Sequence, residues 1–294
     1  MSNDVLNNLL KEYEQKKMKA EIEAENKKEI LYDKIPRLRK IDNEINSYAI
    51  LVTKNILNKN NESLSDFSSK MQSLKQEKEN ILRENNIDVS YLKPSYSCNL
   101  CNDTGYIQKD NYRSEMCSCL KQKLLDISFN KSNMSNLNVE NFANFNENLF
   151  SDEPNASKYK FNISPRENIK KIRDKSIEFV KNFDNPDYKN LLFTGNTGLG
   201  KTFLSNCIAN EVLKMGKTVL YQTAPVLLEN IIDFKLSKQK YNSENINKSV
   251  LEADLLIIDD LGTESLNSMK LSELFTIINT RILNLNHKIT KTII

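Results

Sequence analysis

The sequence GNTGLGKT, residues 195–202, constrains the fold of this chain more than any other segment. It matches the phosphate-binding pattern G-x-x-x-x-G-K-[ST] at every fixed position, with Lys201 and Thr202 as its last two residues. A short apolar segment, NLLFT, precedes it, and a helical pattern follows it. Glycine-rich turns direct backbone N–H groups toward one point, and the helix that follows adds its positive end. The arrangement therefore predicts a loop that holds phosphate groups.

The side chains of this loop have distinct expected roles. Lys201 carries the ammonium group that reaches the β and γ phosphates of a nucleoside triphosphate, and we expect it to be catalytic. The Thr202 hydroxyl is an expected ligand of Mg²⁺. A chance glycine-rich turn is disfavoured by the strand before the loop and the helix after it. The residues that we expect to contact the nucleotide are Gly195, Asn196, Thr197, Gly198, Leu199, Gly200, Lys201, Thr202 and Phe203.

A second segment, DLLIIDD, fits the other half of such a site. Residues 255–258 form an apolar strand of the kind that is buried on both faces of a parallel sheet, and they deliver Asp259 to its carboxyl edge. We expect Asp259 to hold the magnesium shell with Thr202, and Asp260 to orient or deprotonate the attacking water. Glu264 is a rival for the role of Asp260. The alternative for both is an ordinary acid at the end of a strand.

From residue 189 onward, short apolar segments alternate with helical patterns. We expect strands at NLLFT, TVLYQT and DLLIID, and a last strand that opens with KTII. Helices are expected over 201–215 and 224–237 and along MKLSELFTIINTRILN. This alternation predicts an α/β fold in which a parallel sheet is flanked by helices.

Residues 1–88 have the apolar spacing of helices. After Pro36, a residue that favours a helix start, apolar side chains recur every three or four positions. A second such series follows the polar turn NKNNES at 58–63. The pattern predicts two long helices that form a helical hairpin. Their apolar stripes either pack only on each other or also dock a partner protein.

Four of the five cysteines lie in one segment, with the spacing C-x2-C-x15-C-x-C. Four thiolates on two turns, helped by Asn102 and Gly105, can complete a tetrahedral shell around Zn²⁺, which is typical of a structural metal. A redox pair is disfavoured because the CxxC does not open a helix after a strand. Cysteines without a metal are the remaining alternative. The expected zinc ligands are Cys98, Cys101, Cys117 and Cys119, and Cys207 is interpreted as a small buried apolar residue.

The remaining boundaries follow from composition and from helix-start signals. Residues 128–163 are rich in Asn and Ser and are expected to be a linker. Ser164, Pro165 and Glu167 then form a capping box, for a helix that runs to about residue 183. These signals divide the chain into a helical region 1–90, a zinc module 91–127, the linker 128–163 and a nucleotide-binding core 164–294.

Charge and hydropathy disfavour several classes of protein. The net charge is only +3, and no apolar run approaches the roughly 20 residues of a membrane helix. The N-terminus has no signal-peptide pattern, so the cytoplasm is the expected location. The single histidine, His287, is interpreted as a surface residue, which disfavours a hydrolase triad. The segment 234–248 mixes lysines with aromatic residues, which suits either single-stranded nucleic acid or a solvated helix end.

Together these motifs resemble the DnaC/DnaI-type replicative helicase loaders, a branch of the AAA+ ATPases that also contains the IstB-like transposition helpers. The resemblance rests on YSCNLCNDTGYI with CSCL, and on ENFANFN, GNTGLGKTFLSNCIANEVL, LLIIDDLGTE and INTRI in that order. It implies that ATP binds at 195–202 and Asp259, with the adenine near Phe142 and Phe145. It also implies that the N-terminal region grips a hexameric helicase and that the segment 234–248 faces single-stranded DNA.

The resemblance further implies parts that this sequence does not contain. Loaders of this type continue past KTII into a polar sensor residue, a fifth strand and an arginine finger. The expected AAA+ P-loop sheet, of order 5-1-4-3-2, is therefore incomplete at the C-terminus. Arg281 is not the finger, because it lies on the helix before the sensor strand. We expect nucleotide binding and leave hydrolysis by this chain open.

Three functions follow as hypotheses. The first is a loader that delivers a replicative helicase to single-stranded DNA, with ATP binding and hydrolysis as the switch. The second is a non-catalytic adaptor whose zinc module and hairpin bind a partner. The third is a transposition helper that binds a transposase and duplex DNA, which the zinc-bearing N-terminal region disfavours. All three leave open the assembly of a homo-oligomer, and none requires a membrane.

Overall fold

The computed structural model describes most of the chain, as two compact units. The described residues are 3–57, 64–109, 113–127, 134, 136–159, 162–236, 248–262, 268–283 and 288–294. One unit is Asn7–Ile107, and the other comprises Met1–Leu6 and Gln108–Ile294. The division into four regions that the sequence suggests stays a prediction.

The unit Asn7–Ile107 contains α1 (Asn3–Lys34) from Asn7 onward, together with α2 (Pro36–Leu57) and α3 (Leu64–Glu84). Pro36 opens α2, as predicted from its fixed φ angle. The interior of this unit contains Leu31, Leu38, Leu82 and Leu92.

Helices α2 and α3 pack against each other along their length. The Arg37 guanidinium donates to both carboxylate oxygens of Glu77, at 2.6 and 2.9 Å. Further along, the rings of Tyr48 and Phe67 lie 6.0 Å apart. The predicted pairing of two long helices is therefore confirmed, while the predicted turn at 58–63 lies outside the described residues.

Short elements follow the helices. A 3₁₀ helix spans Val89–Leu92, and β1 (Tyr106–Gln108) and β2 (Ser114–Met116) form a two-stranded sheet. Helix α4 spans Ser118–Leu125. Two 3₁₀ turns (Phe142–Asn144 and Glu147–Leu149) and α5 (Ala156–Tyr159) lie in the predicted linker.

The unit that ends at Ile294 is organised around a parallel sheet. Its strands are β3 (Val219–Thr223), β4 (Leu255–Asp259) and β5 (Lys291–Ile293), in the spatial order β3-β4-β5. In the register, Val219 lies opposite Leu255, and Leu255 lies opposite Lys291. The helices α6 (Pro165–Lys181), α7 (Lys201–Lys214), α8 (Ala224–Leu236) and α9 (Ser268–Leu283) complete the unit. The predicted α/β class with a parallel sheet is confirmed.

Both faces of this sheet are covered, as the apolar strands predict. Leu220 and Leu256 face a cluster that includes Leu228 of α8 and Leu274 of α9. Val219, Leu255 and their alternate neighbours face the other cluster, which includes Phe179 of α6 and Ile208 of α7. Alternation along each strand therefore divides the core into two layers.

The predicted strand NLLFT is shorter in the structure than expected. Leu191 forms a single parallel bridge with Ile293, and the Phe193 N–H donates to the Ile294 carbonyl at 2.7 Å. The segment has β5 as its one strand neighbour in the described chain, and the backbone turns into the glycine loop at Gly195. The complete order 5-1-4-3-2 stays a prediction.

Two contacts fix the helices that flank the site. The Ser164 hydroxyl accepts a hydrogen bond from the Glu167 N–H at 3.1 Å, which confirms the predicted cap of α6. On α4, the Gln122 side chain pairs with the outer edge of β3. Its carbonyl oxygen accepts from the Val219 N–H at 2.7 Å, and its amide donates to the Val219 carbonyl at 3.0 Å.

In the described helices, no segment is long and apolar enough to cross a membrane.

Candidate nucleotide-binding site

The glycine loop has the backbone that its sequence predicts. Gly198 and Gly200 have φ angles of 81° and 85°, a left-handed conformation that glycine adopts without steric cost. Gly200 also caps the N-terminus of α7, so the loop passes directly into the helix. The N-terminal N–H groups and the positive end of α7 are therefore next to the loop.

Lys201 lies against the inner side of the loop. Its ammonium nitrogen donates to the carbonyl oxygens of Gly195 and Asn196, at 2.9 and 3.0 Å. These contacts put the positive charge beside the loop backbone, at the first residue of α7. A cation in this position is suited to binding an anion that the loop amides surround.

The loop and strand β4 meet at a direct hydrogen bond. The Thr202 hydroxyl donates to Oδ2 of Asp259, the last residue of β4, at 2.9 Å. The two halves of the site that the sequence predicts separately are thus in contact. A hydroxyl and a carboxylate at this distance form a hard-oxygen pair of the kind that Mg²⁺ prefers, so the donor set fits the expected ion.

Two further donors hold the Asp259 carboxylate. The Tyr221 hydroxyl on β3 donates to Oδ2 at 2.6 Å, and the Asp260 N–H donates to Oδ1 at 2.9 Å. Burial, and then the hydrogen bond to Asp259, raise the pKa of Tyr221, so the phenol stays protonated and able to donate. Sequence patterns did not single out Tyr221, because its position on an apolar strand looks like that of any core residue.

Asp260 has an unusual backbone conformation. Its φ angle is 56°, in the left-handed region that non-glycine residues seldom adopt. Such strain is concentrated at functional sites. Glu264, the rival candidate for the same role, lies outside the described residues.

A cavity of about 380 Å³ lies where these segments meet. The loop contributes Thr197 and Lys201, and the end of β4 contributes Asp259 and Asp260. Lys201, which is expected to contact phosphate, and Asp259, which is expected to hold the metal, therefore line the same cavity.

An aromatic cluster lies next to the start of α7. The rings of Phe145 and Phe203 are 6.2 Å apart, and the Arg173 guanidinium lies 5.5 Å from the centre of the Phe145 ring. Phe142, in contrast, packs against the buried core cluster that contains Phe179 and Ile208. The two phenylalanines that the resemblance connects with adenine thus have different surroundings, and Phe145 is the one in contact with the predicted nucleotide-binding residue.

The segment before these aromatic residues is fixed to α7 by two asparagines. The Asn206 amide donates to the Glu140 carboxylate, and the Asn210 amide donates to the Leu137 carbonyl at 3.2 Å. Sequence reasoning did not identify these contacts. They attach the chain around ENFANFN to the helix that follows the glycine loop.

The four clustered cysteines converge in the structure. Their sulfur atoms all lie within 4.8 Å of one another, and Cys101 and Cys117 are buried. A Zn–S distance of about 2.3 Å places thiolates of one tetrahedral shell about 3.8 Å apart, so this donor set fits zinc. Asn102 and Gly105 have φ angles of 49° and 75°, which confirms the permissive turn expected of them.

Arg281 has a structural position. It is 3% exposed, and its guanidinium donates to the carbonyls of Val250, Ala253 and Lys291 and to the Thr292 hydroxyl. Burial lowers its pKa to about 9, which still leaves it charged at neutral pH. These contacts agree with excluding Arg281 as an arginine finger.

Cys207 lies where the sequence predicts, and two other predicted features fall outside the described residues. Cys207 is buried in α7, and burial raises the pKa of its thiol to about 12, as expected of an inert core residue. His287 lies outside the described residues, and so does 237–247 of the basic segment.

A parallel sheet with covered faces, a glycine loop that opens a helix, and a strand-end carboxylate in contact with that loop define a P-loop nucleotide-binding protein. Residues 135–292, just over half of the chain, match the family model described as IstB-like ATP binding protein. The chain belongs to this family of AAA+ ATP-binding proteins.

The relatives agree with the resemblance seen in the motifs. The chain is 32% identical over 98 residues to a replicative helicase loader DnaC of Buchnera aphidicola, covering 33% of this chain and 39% of the relative. It is 30% identical over 91 residues to the Escherichia coli K12 loader DnaC, covering 31% and 36%. The match thus spans less than two fifths of the length of these curated relatives. The resemblance to DnaC-type loaders is confirmed.

A solved structure is also similar to part of the chain. DnaA from Aquifex aeolicus with bound AMPPCP is 24% identical, with a TM-score of 0.34, and the match covers 41% of this chain and 36% of that one.

Proposed function

We propose that this chain is an ATP-dependent helicase loader that delivers a replicative DNA helicase to single-stranded DNA. The observation that carries the proposal is the Thr202–Asp259 hydrogen bond, which joins the glycine loop to the strand-end carboxylate in a chain of the IstB-like family. The loaders among its relatives indicate what the nucleotide switch would act on.

In this proposal the loop residues 195–200 surround the triphosphate with backbone N–H groups, and Lys201 neutralises its charge. Thr202 and Asp259 hold Mg²⁺, which neutralises charge on the β and γ phosphates when it is bound. Asp260 orients or deprotonates the attacking water. The cavity lined by Lys201, Asp259 and Asp260 supports this division of roles.

In this proposal the base of the nucleotide lies beside Phe145 and Phe203. Phe203 follows Thr202 directly, and Phe145 packs beside it. An adenine ring offers a flat face that phenylalanine rings can contact. We propose these two residues as its apolar support.

The four cysteines hold one structural zinc ion. Four thiolates complete the tetrahedral shell and leave no position for substrate or water, so the ion stabilises the fold and takes no part in chemistry. The convergence of the four sulfur atoms supports this assignment.

The helical unit Asn7–Ile107 is proposed to contact the helicase, and the segment 234–248 to contact single-stranded DNA. Helix α1 has three exposed apolar side chains, Met18, Ile22 and Ile30, each more than half exposed. Exposed apolar residues on one helix suit a protein partner. The lysines and aromatic residues of 234–248 suit phosphate contact and base stacking.

The test combines capture of the helicase with nucleotide turnover. The purified chain is used to capture the replicative helicase with and without ATP, and turnover is measured with and without single-stranded DNA. Wild type should capture the helicase and show turnover that rises with DNA. Lys201→Ala should abolish nucleotide binding and turnover, because the ammonium group that neutralises the phosphates is gone.

The matched control is Lys214→Ala, which removes an exposed lysine at the far end of the same helix, paired with Glu211. It should behave like wild type. Flat turnover with intact helicase capture would instead support the non-catalytic adaptor, and failure to capture the helicase under any condition would contradict the loader. The family name supports the transposition helper as a second candidate, and binding of a transposase with duplex DNA is the result that would favour it.

A further inference from the structure

One carboxylate oxygen of Asp259 accepts hydrogen bonds from two hydroxyl groups in different parts of the fold. Thr202 of the glycine loop donates to Oδ2 at 2.9 Å, and Tyr221 of β3 donates to the same oxygen at 2.6 Å. The roles proposed so far account for Thr202 but not for Tyr221. A buried phenol that reaches the same atom as the loop hydroxyl needs its own explanation.

The framework that carries Tyr221 is well defined. Strands β3 and β4 are paired in parallel, with Tyr221 opposite Ile257, two residues before Asp259. The Tyr221 side chain is 2% exposed and packs in the core cluster that contains Ile208 of α7 and Phe179 of α6. Its ring is therefore held by the sheet and by two helices, so its hydroxyl has little freedom to move away from Asp259.

The contact also differs in kind from that of Thr202. Thr202 lies in the first turn of α7, directly after the loop that is proposed to hold the triphosphate, whereas Tyr221 belongs to strand β3 of the sheet. The Tyr221 hydrogen bond can therefore persist whatever partner Thr202 takes. Together with the Asp260 N–H on Oδ1, it fixes the rotation of the carboxylate group.

We propose that Tyr221 is a positioning residue, which orients the Asp259 carboxylate for the magnesium-bound nucleotide. This inference rests on the proposed nucleotide site and adds a determinant of metal affinity to it. It predicts that loss of the Tyr221 hydroxyl weakens the metal-dependent part of nucleotide binding and leaves the metal-independent part intact.

The experiment compares Tyr221→Phe with wild type, using a fluorescent ATP analogue with Mg²⁺ and with EDTA. The phenylalanine keeps the ring in the core and removes only the hydroxyl. We expect the Mg²⁺-dependent gain in affinity to fall by about fivefold to tenfold, since a hydrogen bond to a charged group is lost. Affinity in EDTA should change by less than about twofold, because the loop amides and Lys201 are untouched.

Tyr188→Phe is the matched control. Tyr188 also packs against Phe179, and its hydroxyl is hydrogen-bonded to Glu178, away from the glycine loop. The affinity of the Tyr188→Phe variant for the ATP analogue should match that of wild type, both with Mg²⁺ and with EDTA.

A second measurement tests the route through Asp259. In an Asp259→Asn background, Tyr221→Phe should have no further effect on the Mg²⁺-dependent affinity, because the two residues act as one unit. Equal losses with Mg²⁺ and with EDTA, together with a lowered melting temperature, would show a purely structural role and overturn the inference. Unchanged affinity in Tyr221→Phe would overturn it too. If wild type itself does not bind the analogue, the proposed nucleotide function fails instead.

Discussion

Asp260 is the residue at which local strain and proposed chemistry coincide. Its left-handed φ of 56° is unfavourable for a side chain with a Cβ atom, although aspartate tolerates it better than most residues. Its N–H is used to hold Asp259. The conformation thus serves the neighbouring carboxylate, and the Asp260 side chain is left facing the cavity that the loop also lines.

We predict that replacement of Asp260 separates stability from turnover. Asp260→Gly should leave the free energy of unfolding unchanged or raise it by up to about 1 kcal/mol, because glycine adopts this φ without steric cost. ATP turnover should fall on the order of 100-fold, the usual contribution of a general base. Urea unfolding and single-turnover kinetics measure the two effects.

Asp260→Ala is the matched comparison. It also removes the carboxylate, but alanine has no favourable route to a positive φ, so it should be about 1 kcal/mol less stable than Asp260→Gly. Equal stability of the two variants would contradict the strain. Turnover like wild type in both would contradict the catalytic assignment and leave Glu264 as the alternative.

At this scale the sequence predicts the residues whose chemistry depends on local spacing. The glycine loop, Lys201 and Thr202 belong to one short motif, and Asp259 ends an apolar strand, so their meeting follows from the rule for parallel sheets. Tyr221 and Asn206 were not predictable in this way. Their partners, Asp259 and Glu140, are 38 and 66 residues distant, and only the folded chain brings them together.

Among the elements, α4 is the helix that covers the outer edge of β3. Strand β3 is an outer strand in the described sheet, and an outer strand presents unpaired backbone groups. Gln122 satisfies both groups of Val219 with one side-chain amide. Leu125 of the same helix packs into the core with Leu220 and Leu228, so the helix covers this edge by apolar contact as well.

We predict that Gln122→Ala lowers the free energy of unfolding by about 1–3 kcal/mol, because it leaves the N–H and carbonyl of Val219 without this partner near the core. Lys121→Ala is the control, since Lys121 is exposed on the same helix and should change stability by less than about 0.5 kcal/mol. Chemical denaturation of the three proteins measures the difference. Equal stability of the two variants would show that apolar packing alone holds α4 on the sheet.

The sequence predicts the positions of helices and strands better than it predicts the contacts between them. Strands β3, β4 and β5 and helices α6 to α9 lie where the periodicity indicates, because continuous apolar runs and amphipathic spacing are strong local signals. The NLLFT strand is shorter in the structure than predicted. Its pairing is with β5, a neighbour about 100 residues away in the chain, and local sequence does not indicate how many residues pair. The role of Gln122 depends on an edge 97 residues distant and leaves no pattern in the sequence.

At the scale of the molecule, the nucleotide site lies within one of two compact units, and the helical unit Asn7–Ile107 has a core of its own. Each unit therefore has the separate hydrophobic core that is typical of a domain. The family match over 135–292 lies within the unit that contains the candidate nucleotide site, and binding experiments test the partners proposed for the helical unit and for the basic segment.

The last prediction concerns the zinc ion that we propose for the cysteine cluster. We expect about one zinc ion per purified chain, measured by elemental analysis, and its loss in Cys98→Ser, because three thiolates leave the tetrahedral shell open. Removal of the metal with a chelator should lower the melting temperature, since structural zinc binding contributes on the order of 10 kcal/mol to folding in small zinc domains. Cys207→Ser is the matched control: its thiol is buried in α7 outside the cluster, so the zinc content should be unchanged. Folded wild-type protein that contains no zinc and is insensitive to the chelator would refute the site, even if nucleotide binding were intact.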